Sequence, residues 1–472
     1  MTRTQRWVLA LTSVAALMVA LDQLVVATAL TTIRNDLHAS IATLEWTVNA
    51  YSLSFAVLLI TGAALGDRFG RRRLLATGLF VFTLASAACA LAPDTGLLIA
   101  ARALQGAGSA LVMPLAVSLL ASAFPPEKRG GALGIFTALS GLAVVGGPLL
   151  GGAITEGIAW RWIFWVNVPI GAVLIPLVLT RMTESRGPAA RLDLPGLLLA
   201  AAGMFGIVWG LVRANTAGWG SGEVVGTLIA GSVATIAFLA WEARASEPML
   251  PLRLFADRTF SAAGIAAFLL TAALFSTVFF FAQYLQVGLG YSPLGAGIRF
   301  LPWTLALFVV APAAGRLIDR TGNRALLGGG LALQAIGLAW VALTIAGGQS
   351  YVSAIAALVI AGCGTSMALP AAQNAVMNAA PRAETGKASG IFNTARQLGG
   401  AFGVSVLATV FAANGSYAGP AAFRAGAGPA IGVAAALSAL GAIAAMLIRR
   451  RPPASEDAVA PSSVKVVEIV AE

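Results

Sequence analysis

The chain has 472 residues, 58% of them hydrophobic and only 10% charged, with a mean hydropathy of +0.86. Soluble domains are about one quarter charged, so this composition excludes a water-exposed globule and points to a polytopic membrane protein. The net charge of +11 does not mark a nucleic-acid binder, because the basic residues sit in short loops on one side of the apolar runs.

In chain order, the apolar runs predict fourteen spans, at 9–31, 45–65, 74–93, 97–121, 131–154, 161–180, 194–213, 223–242, 260–284, 294–315, 325–346, 351–378, 387–412 and 427–448. Most reach the ~20 residues that cross a bilayer core. The first run follows Arg3 and Arg6, contains Asp22 and lacks a convincing cleavage pattern, so it reads as a retained span and not a signal peptide. Connections after even-numbered spans carry Arg68, Arg71, Arg72 and Arg73, then Lys128 and Arg129, Arg181, Arg186 and Arg191. Further along the same side come Arg244, Arg253, Arg258, Arg316, Arg320, Arg324, Arg382 and Lys387, with Arg449, Arg450 and Arg451 at the end. The opposite connections carry little beyond Arg34, Arg161, Arg213 and Arg424. This asymmetry places both termini in the cytoplasm. Cys89 and Cys363 lie in separate apolar runs and the one histidine, His38, lies in a connection. Neither a disulfide framework nor a metal centre is expected from them, and no cofactor is implied.

The chain also repeats itself. Asp67-Arg68-Phe69-Gly70 recurs as Asp319-Arg320-Thr321-Gly322, 252 positions on. Gly106-Ala107-Gly108 with Pro114 recurs as Gly362-Cys363-Gly364 with Pro370, at an offset of 256. Two related halves of six spans account for twelve, and spans 7 and 8 form a hairpin between them. The expected organisation is a six-helix bundle over 1–190, a two-helix insertion and linker over 191–258, a second bundle over 259–450 and a disordered polar tail over 451–472. Parallel repeats of this kind build transporters whose site lies near mid-membrane between the halves.

Charges inside hydrocarbon are expensive and point to function. Asp22 is deep in the first span, and a carboxyl there can take a proton from one side and release it to the other; the plainer reading is a hydrogen bond to a neighbouring helix. Arg102 in the fourth span is its natural counter-charge, and the repeat places apolar Leu358 at the matching position. The loop Asp67, Arg68, Gly70, Arg71, Arg72, with its copy Gly315, Asp319, Arg320, Gly322, suits a breakable cytoplasmic latch; the alternative is a purely topogenic charge cluster. Gly134, Gly147, Pro148, Gly151 and Gly152 put small residues and a kink on the fifth span, for packing alone or for packing between moving halves. Tyr51, Gln105, Phe136, Asn167, Gln283, Trp303 and Arg396 are candidates to line a cavity, where aromatic faces hold flat or cationic ligands. Each of them also fits an ordinary core or lipid-facing role.

Taken together, these motifs resemble the major facilitator superfamily, in its fourteen-span drug:proton antiporter branch, over roughly 5–450. Leu65-Gly66-Asp67-Arg68-Phe69-Gly70-Arg71-Arg72 is similar to the signature between spans 2 and 3, with Ala63 where a Gly is usual. Leu98, Arg102, Gln105, Gly106 and Gly108 resemble the span 4 signature, and Gly134 through Gly152 the span 5 antiporter motif, with Ala143 in place of one Gly. Leu21-Asp22 with Val25-Val26 and Ala29-Leu30 resembles the span 1 motif, and Trp160 to Phe164 with Asn167 to Gly171 is typical of the branch. The resemblance implies a monomeric, proton-coupled exporter of hydrophobic drugs or antibiotics in the cell (inner) membrane, with Asp22 and Arg102 in proton coupling. No second acidic residue stands in the late spans, which favours monovalent cationic or neutral substrates over divalent ones. Two rivals stand beside it: an exporter dedicated to one endogenous metabolite, lipid or siderophore on the same fold, and a non-transporting receptor or scaffold. An enzyme is not expected.

Overall fold

The computed structural model describes residues 1–187, 193–245, 248, 250–381 and 384–449. The predicted tail over 451–472 lies outside them. So do the side-chain surroundings of Gly134, Gly315, Asp319 and Arg320, although all four stand on helical backbone.

In lipid every backbone polar group has to be satisfied within its own segment, and the described residues accordingly form helices. These are α1 (Arg3–Asp36), α2 (Ile41–Phe69), α3 (Arg71–Leu91), α4 (Thr95–Ala123), α5 (Pro126–Gly157), the single turn α6 (Trp162–Trp165) and α7 (Asn167–Arg181). They continue as α8 (Leu194–Ala217), α9 (Gly222–Glu242), α10 (Arg258–Gln283), α11 (Pro293–Arg299), α12 (Leu301–Ala346), α13 (Tyr351–Ala379), α14 (Thr385–Asn414) and α15 (Pro420–Ala445). Short polar residues start many of them. Thr2 and Gln5 form a capping box on α1, and Ser40, Asp94, Ser221 and Asp257 cap α2, α4, α9 and α10 by accepting from the first free backbone N–H groups.

Eleven described helices are long and apolar enough to cross a membrane, or twelve when α2, bent by 50° between 42–59 and 61–69, is counted as one span. The predicted spans 131–154 and 294–315 fall on α5 and on α11 with the first part of α12, and neither is in that count.

The repeat seen in the sequence reappears in the backbone. Gly70, between α2 and α3, has φ 110°, and its counterpart Gly322 has φ 79° and interrupts α12. Both are left-handed positions that glycine alone occupies at little cost. Packing is duplicated as well. A β-carbon on Gly106 would meet the Tyr51 carbonyl and one on Gly362 the Trp303 carbonyl; one on Gly108 would meet the Gly78 carbonyl and one on Gly364 the Gly330 carbonyl. Each pair differs by the sequence offsets of the repeat, so α4 and α13 are held to their neighbours by the same small-residue contacts that bring lipid-embedded helices close together.

Contacts define two faces. At the near face, where α1 begins, the Gln5 amide donates to the Ala123 carbonyl and Arg181 covers the Trp7 ring. At the far face, where α1 ends, Asp36 accepts from Trp160 and Arg161. The hydrogen bonds described between residues 3–181 and 258–445 lie at mid-depth or toward the far face, among them Gln23 to Gln397, Asn49 to Ser405, Thr394 to the Ala56 carbonyl, Gln286 to the Thr28 carbonyl and the Leu294 N–H to Glu156. The hairpin α8–α9 is joined by close contact of Gly206 with Gly231. It rests on α2 and α14 through Leu53, Val208, Val212 and Leu398.

Candidate functional site

Asp22 stands near the middle of α1, 1% exposed, and Arg102, on α4, is equally buried. The Arg102 Nη1 donates to Asp22 Oδ2 at 2.6 Å and to Gln105 Oε1 at 2.7 Å. Asp22 Oδ1 accepts from the Gln105 Nε2 at 2.7 Å and from the Asn167 Nδ2 at 3.0 Å. Ser86, on α3, accepts from Gln105 Nε2 at 2.7 Å. On its other side Arg102 donates through Nε to the Thr47 carbonyl at 3.2 Å and lies 4.3 Å from the centre of the Tyr51 ring. Tyr51 shares a hydrogen bond with Ser109 at 2.8 Å. Five long helices thus converge on one ion pair.

The spacing explains how one helix supplies much of this. Arg102, Gln105 and Ser109 fall at i, i+3 and i+7 of α4, one face of an α-helix, and Gly106 and Gly108 beside them let α2 and α3 approach. An ion pair removed from water is tolerable only with its remaining hydrogen-bonding capacity met, and three donors on the carboxylate meet it. The arrangement has a chemical consequence. A proton on Asp22 would cancel the charge facing Arg102 and leave the guanidinium its bonds to Gln105 and the Thr47 carbonyl.

The other sequence candidates divide into groups. Tyr51, Gln105 and Asn167, expected on a cavity wall, belong to the Asp22 network. Phe136 and Trp303 are 6% and 5% exposed. Gln283 is buried and accepts from the Tyr417 hydroxyl. Arg396, on α14, lies 5.7 Å from the Phe392 ring, and its Nε has no hydrogen-bond partner among the described residues. On the fifth span Gly147 and Gly151 pack against α1 within the first half, and Gly152 touches α11 of the second. A β-carbon on Gly147 would strike Leu24 of α1, one on Gly151 the Val25 carbonyl, and one on Gly152 the Pro293 carbonyl of α11. The Pro148 carbonyl in turn lies where a β-carbon on Gly297 of α11 would stand.

In the charged loop, Asp67 pairs with Arg71 at 2.7 Å, and its backbone carbonyl accepts from the Gly187 N–H at 3.2 Å. The Glu184 carboxylate accepts from the Arg72 and Arg73 N–H groups at the N-terminus of α3, where the helix dipole favours an anion. Arg72 donates to the Leu179 and Met182 carbonyls, and Arg68 lies 5.4 Å from the Phe69 ring. The described hydrogen-bond partners of the loop outside itself therefore lie between Leu179 and Gly187, in its own half.

Sequence reasoning missed Thr47 and Ser86, which reach the Asp22 network across helices, and Glu184, which holds the Asp67 loop. It also passed over Glu45, fully buried one turn inside α2 and within electrostatic reach of the Tyr417 hydroxyl. Arg34 of α1 stands 4.1 Å from the same Tyr417 ring, so this cluster ties the halves at the far face. Among the described residues no group of three His, Cys, Asp or Glu side chains is placed to hold a metal ion.

Two related helical bundles, the first built around a buried ion pair, fit a multi-pass membrane protein of the transporter class. A model of the Major Facilitator Superfamily matches residues 12–404, with a second match over 265–470. The chain belongs to this superfamily. It is 35% identical over 404 residues to a tetracenomycin C resistance and export protein of Streptomyces glaucescens, covering 85% of this chain and 75% of that one. It is 38% identical to a puromycin resistance protein of Streptomyces alboniger, covering 86% and 81%, and 38% identical to a cephamycin export protein of Amycolatopsis lactamdurans, covering 92% and 90%. Among solved structures, a D-xylose–proton symporter aligns with a TM-score of 0.66 at 16% identity over 94% of this chain and 98% of its own. A bacterial homologue of the lysosomal transporter Spinster, in an inward-facing, unoccupied conformation, aligns at 0.66 and 18% over 96% and 100%. At those identities the likeness concerns the fold.

Proposed function

We propose that this transporter exports hydrophobic antibiotics or drugs, monovalent cationic or neutral, in exchange for protons. The observation that carries the proposal is the buried Asp22–Arg102 pair, a protonatable switch within the first half. The names of the antibiotic-exporting relatives support the substrate class. Fourteen spans, divided as 1–190, 191–258 and 259–450, put both termini and the Asp67 loop in the cytoplasm of a cell carrying the protein in its inner membrane as a monomer. The near face is then cytoplasmic, and halves fastened at the far face make the described conformation inward-facing.

In the proposed cycle, protonation of Asp22 and opening of its pair with Arg102 are one coupled event. In the inward-facing state Asp22 is an ionised carboxylate held by Arg102, its proton already lost to the cytoplasm, and substrate binds between the halves. Rearrangement breaks the α5–α11 contact and the Tyr417 cluster and opens the far face. A proton from outside then neutralises Asp22, frees Arg102, lowers substrate affinity and favours return. Substrate and proton bias the same two-state equilibrium in opposite directions. The Asp67 loop and its Asp319 copy latch the cytoplasmic side while the protein faces outward. Arg396 is a cavity contact for substrate hydrogen-bond acceptors.

The test is efflux of a panel of fluorescent cationic dyes from cells expressing the protein. The expected result is dye efflux that stops when a protonophore collapses the gradient while ATP is maintained. Efflux that continues under those conditions contradicts proton coupling. The relatives named for single antibiotics favour a second reading, a dedicated exporter, which is adopted if no dye moves but resistance to one compound rises.

A further inference from the structure

The inserted hairpin builds a site of its own. A cavity of about 730 Å³ lies between α2, α4 and α8, apart from the Asp22 network. Its wall follows α2 from Ser40 to Leu58, a length of about 27 Å at the rise of an α-helix. The cavity is therefore a slot running from the far face past mid-membrane, since Leu58 lies beyond the midpoint of α2. Trp46, Phe205 and Trp209 form its aromatic wall, with ring centroids 5.5–5.8 Å apart. It opens sideways beside Ala100: Leu97 and Leu104, on the same face of α4, are each 45% exposed.

The mouth at the far face is different in kind. There Arg213 and Glu223 form an ion pair at 2.8 Å with Ser40 and Thr43 nearby, and Trp209 Nε1 donates to Glu223 at 3.1 Å. Both charged side chains remain more than a third exposed. A guanidinium and a carboxylate side by side complement a headgroup that carries a phosphate and an ammonium together. An apolar slot below them, deeper than one leaflet of the ~30 Å hydrocarbon core, complements the full length of a hydrocarbon chain, and a tryptophan wall suits the boundary between the two.

We propose that this slot binds one zwitterionic phospholipid of the far-face leaflet, with an acyl chain along α2 and its headgroup on Arg213 and Glu223. Because α8 rests on both α2 and α14, the lipid fills the space beside the joint that α8 makes across the two halves. It serves as a removable part of that joint. This gives the seventh and eighth spans a role that the twelve-span repeat does not supply.

The experiment uses the full chain in nanodiscs of phosphatidylglycerol doped with phosphatidylethanolamine bearing a photoreactive diazirine in its acyl chain, with labelled peptides mapped by mass spectrometry. The expected result is labelling of the 46–58 and 99–103 peptides several-fold above that of the lipid-facing surface around Ile229 and Ile236. Ala100→Trp and, independently, Val57→Trp fill the slot and remove this excess while leaving the surface labelling unchanged. Arg213→Ala with Glu223→Ala removes the preference for the ethanolamine lipid over a phosphatidylglycerol photoprobe. Slot labelling no denser than the lipid-facing surface, or unaffected by both filling variants, overturns the proposal. Displacement of the label by a transported dye shows a substrate subsite instead and also overturns it. These readouts involve no transport, so they stand or fall separately from the proton-exchange reading.

Discussion

Arg102→Leu is expected to destabilise the protein by about 3–5 kcal/mol, the range for breaking a buried ion pair by removing one partner. Leucine is the residue the second half carries at the matching position, Leu358, so the side chain suits this helix position. What the substitution leaves behind is the Asp22 carboxylate, still accepting from Gln105 and Asn167 but without its cation. Asp22→Asn in the same chain removes the stranded charge and keeps a side chain of the same shape. The double variant is therefore expected to recover most of the loss, since replacing both members of a buried pair is often close to neutral. Thermal unfolding of the purified single and double variants in one detergent checks this. A loss below about 1 kcal/mol for Arg102→Leu, a range typical of exposed pairs, would show that the pair does not hold these helices together.

The second large effect concerns transport. Asp22→Asn cannot carry a proton, whatever its packing, so the account expects substrate binding with no efflux against a gradient, down to the background of cells lacking the protein. Asp22→Glu retains an ionisable group on a longer arm and is expected to keep part of the activity. Initial dye efflux rates, normalised to protein in the membrane, measure both. Arg102 is unpaired in Asp22→Asn, so the double variant with Arg102→Leu serves as the folding control: it too exports nothing although it is well folded. Undiminished efflux in either Asn variant would remove Asp22 from the coupling step.

The sequence made some of this readable for a plain physical reason. A charge in an apolar run is conspicuous because hydrocarbon penalises it, so Asp22 and Arg102 stood out, and their pairing followed from their being the opposite charges deepest in the first half. The duplicated glycines were equally legible, and their backbone angles and close contacts confirm that Gly70 and Gly322, and Gly106 and Gly362, occupy matching places. Thr47 gave no signal, because it takes part through its backbone carbonyl, and Ser86 and Asn167 were harder. Single polar residues are common on membrane helices, and their part in the network depends on which helices meet, which periodicity does not reveal. Glu45 was lost at a boundary: the apolar run appeared to begin there, whereas the Ser40 cap starts α2 at Ile41 and carries Glu45 inside. The partners of the Asp67 loop also came from far along the chain, because Glu184 reaches the N-terminus of α3 from beyond α7. The cavity lining was the least legible part. Aromatic and amide side chains gave Tyr51, Gln105 and Asn167 as wall residues, but the same hydrogen-bonding capacity is consumed in burying the ion pair.

The most direct measurement of the central claim is substrate affinity of the purified protein over a pH series, for wild type and Asp22→Asn. Linkage is reciprocal: if protonation of Asp22 weakens substrate binding, the wild-type Kd rises as pH falls, and the Asn variant binds with a Kd that does not change. The same rise in Kd in both proteins would mean that the proton competing with substrate sits elsewhere, and would contradict the account.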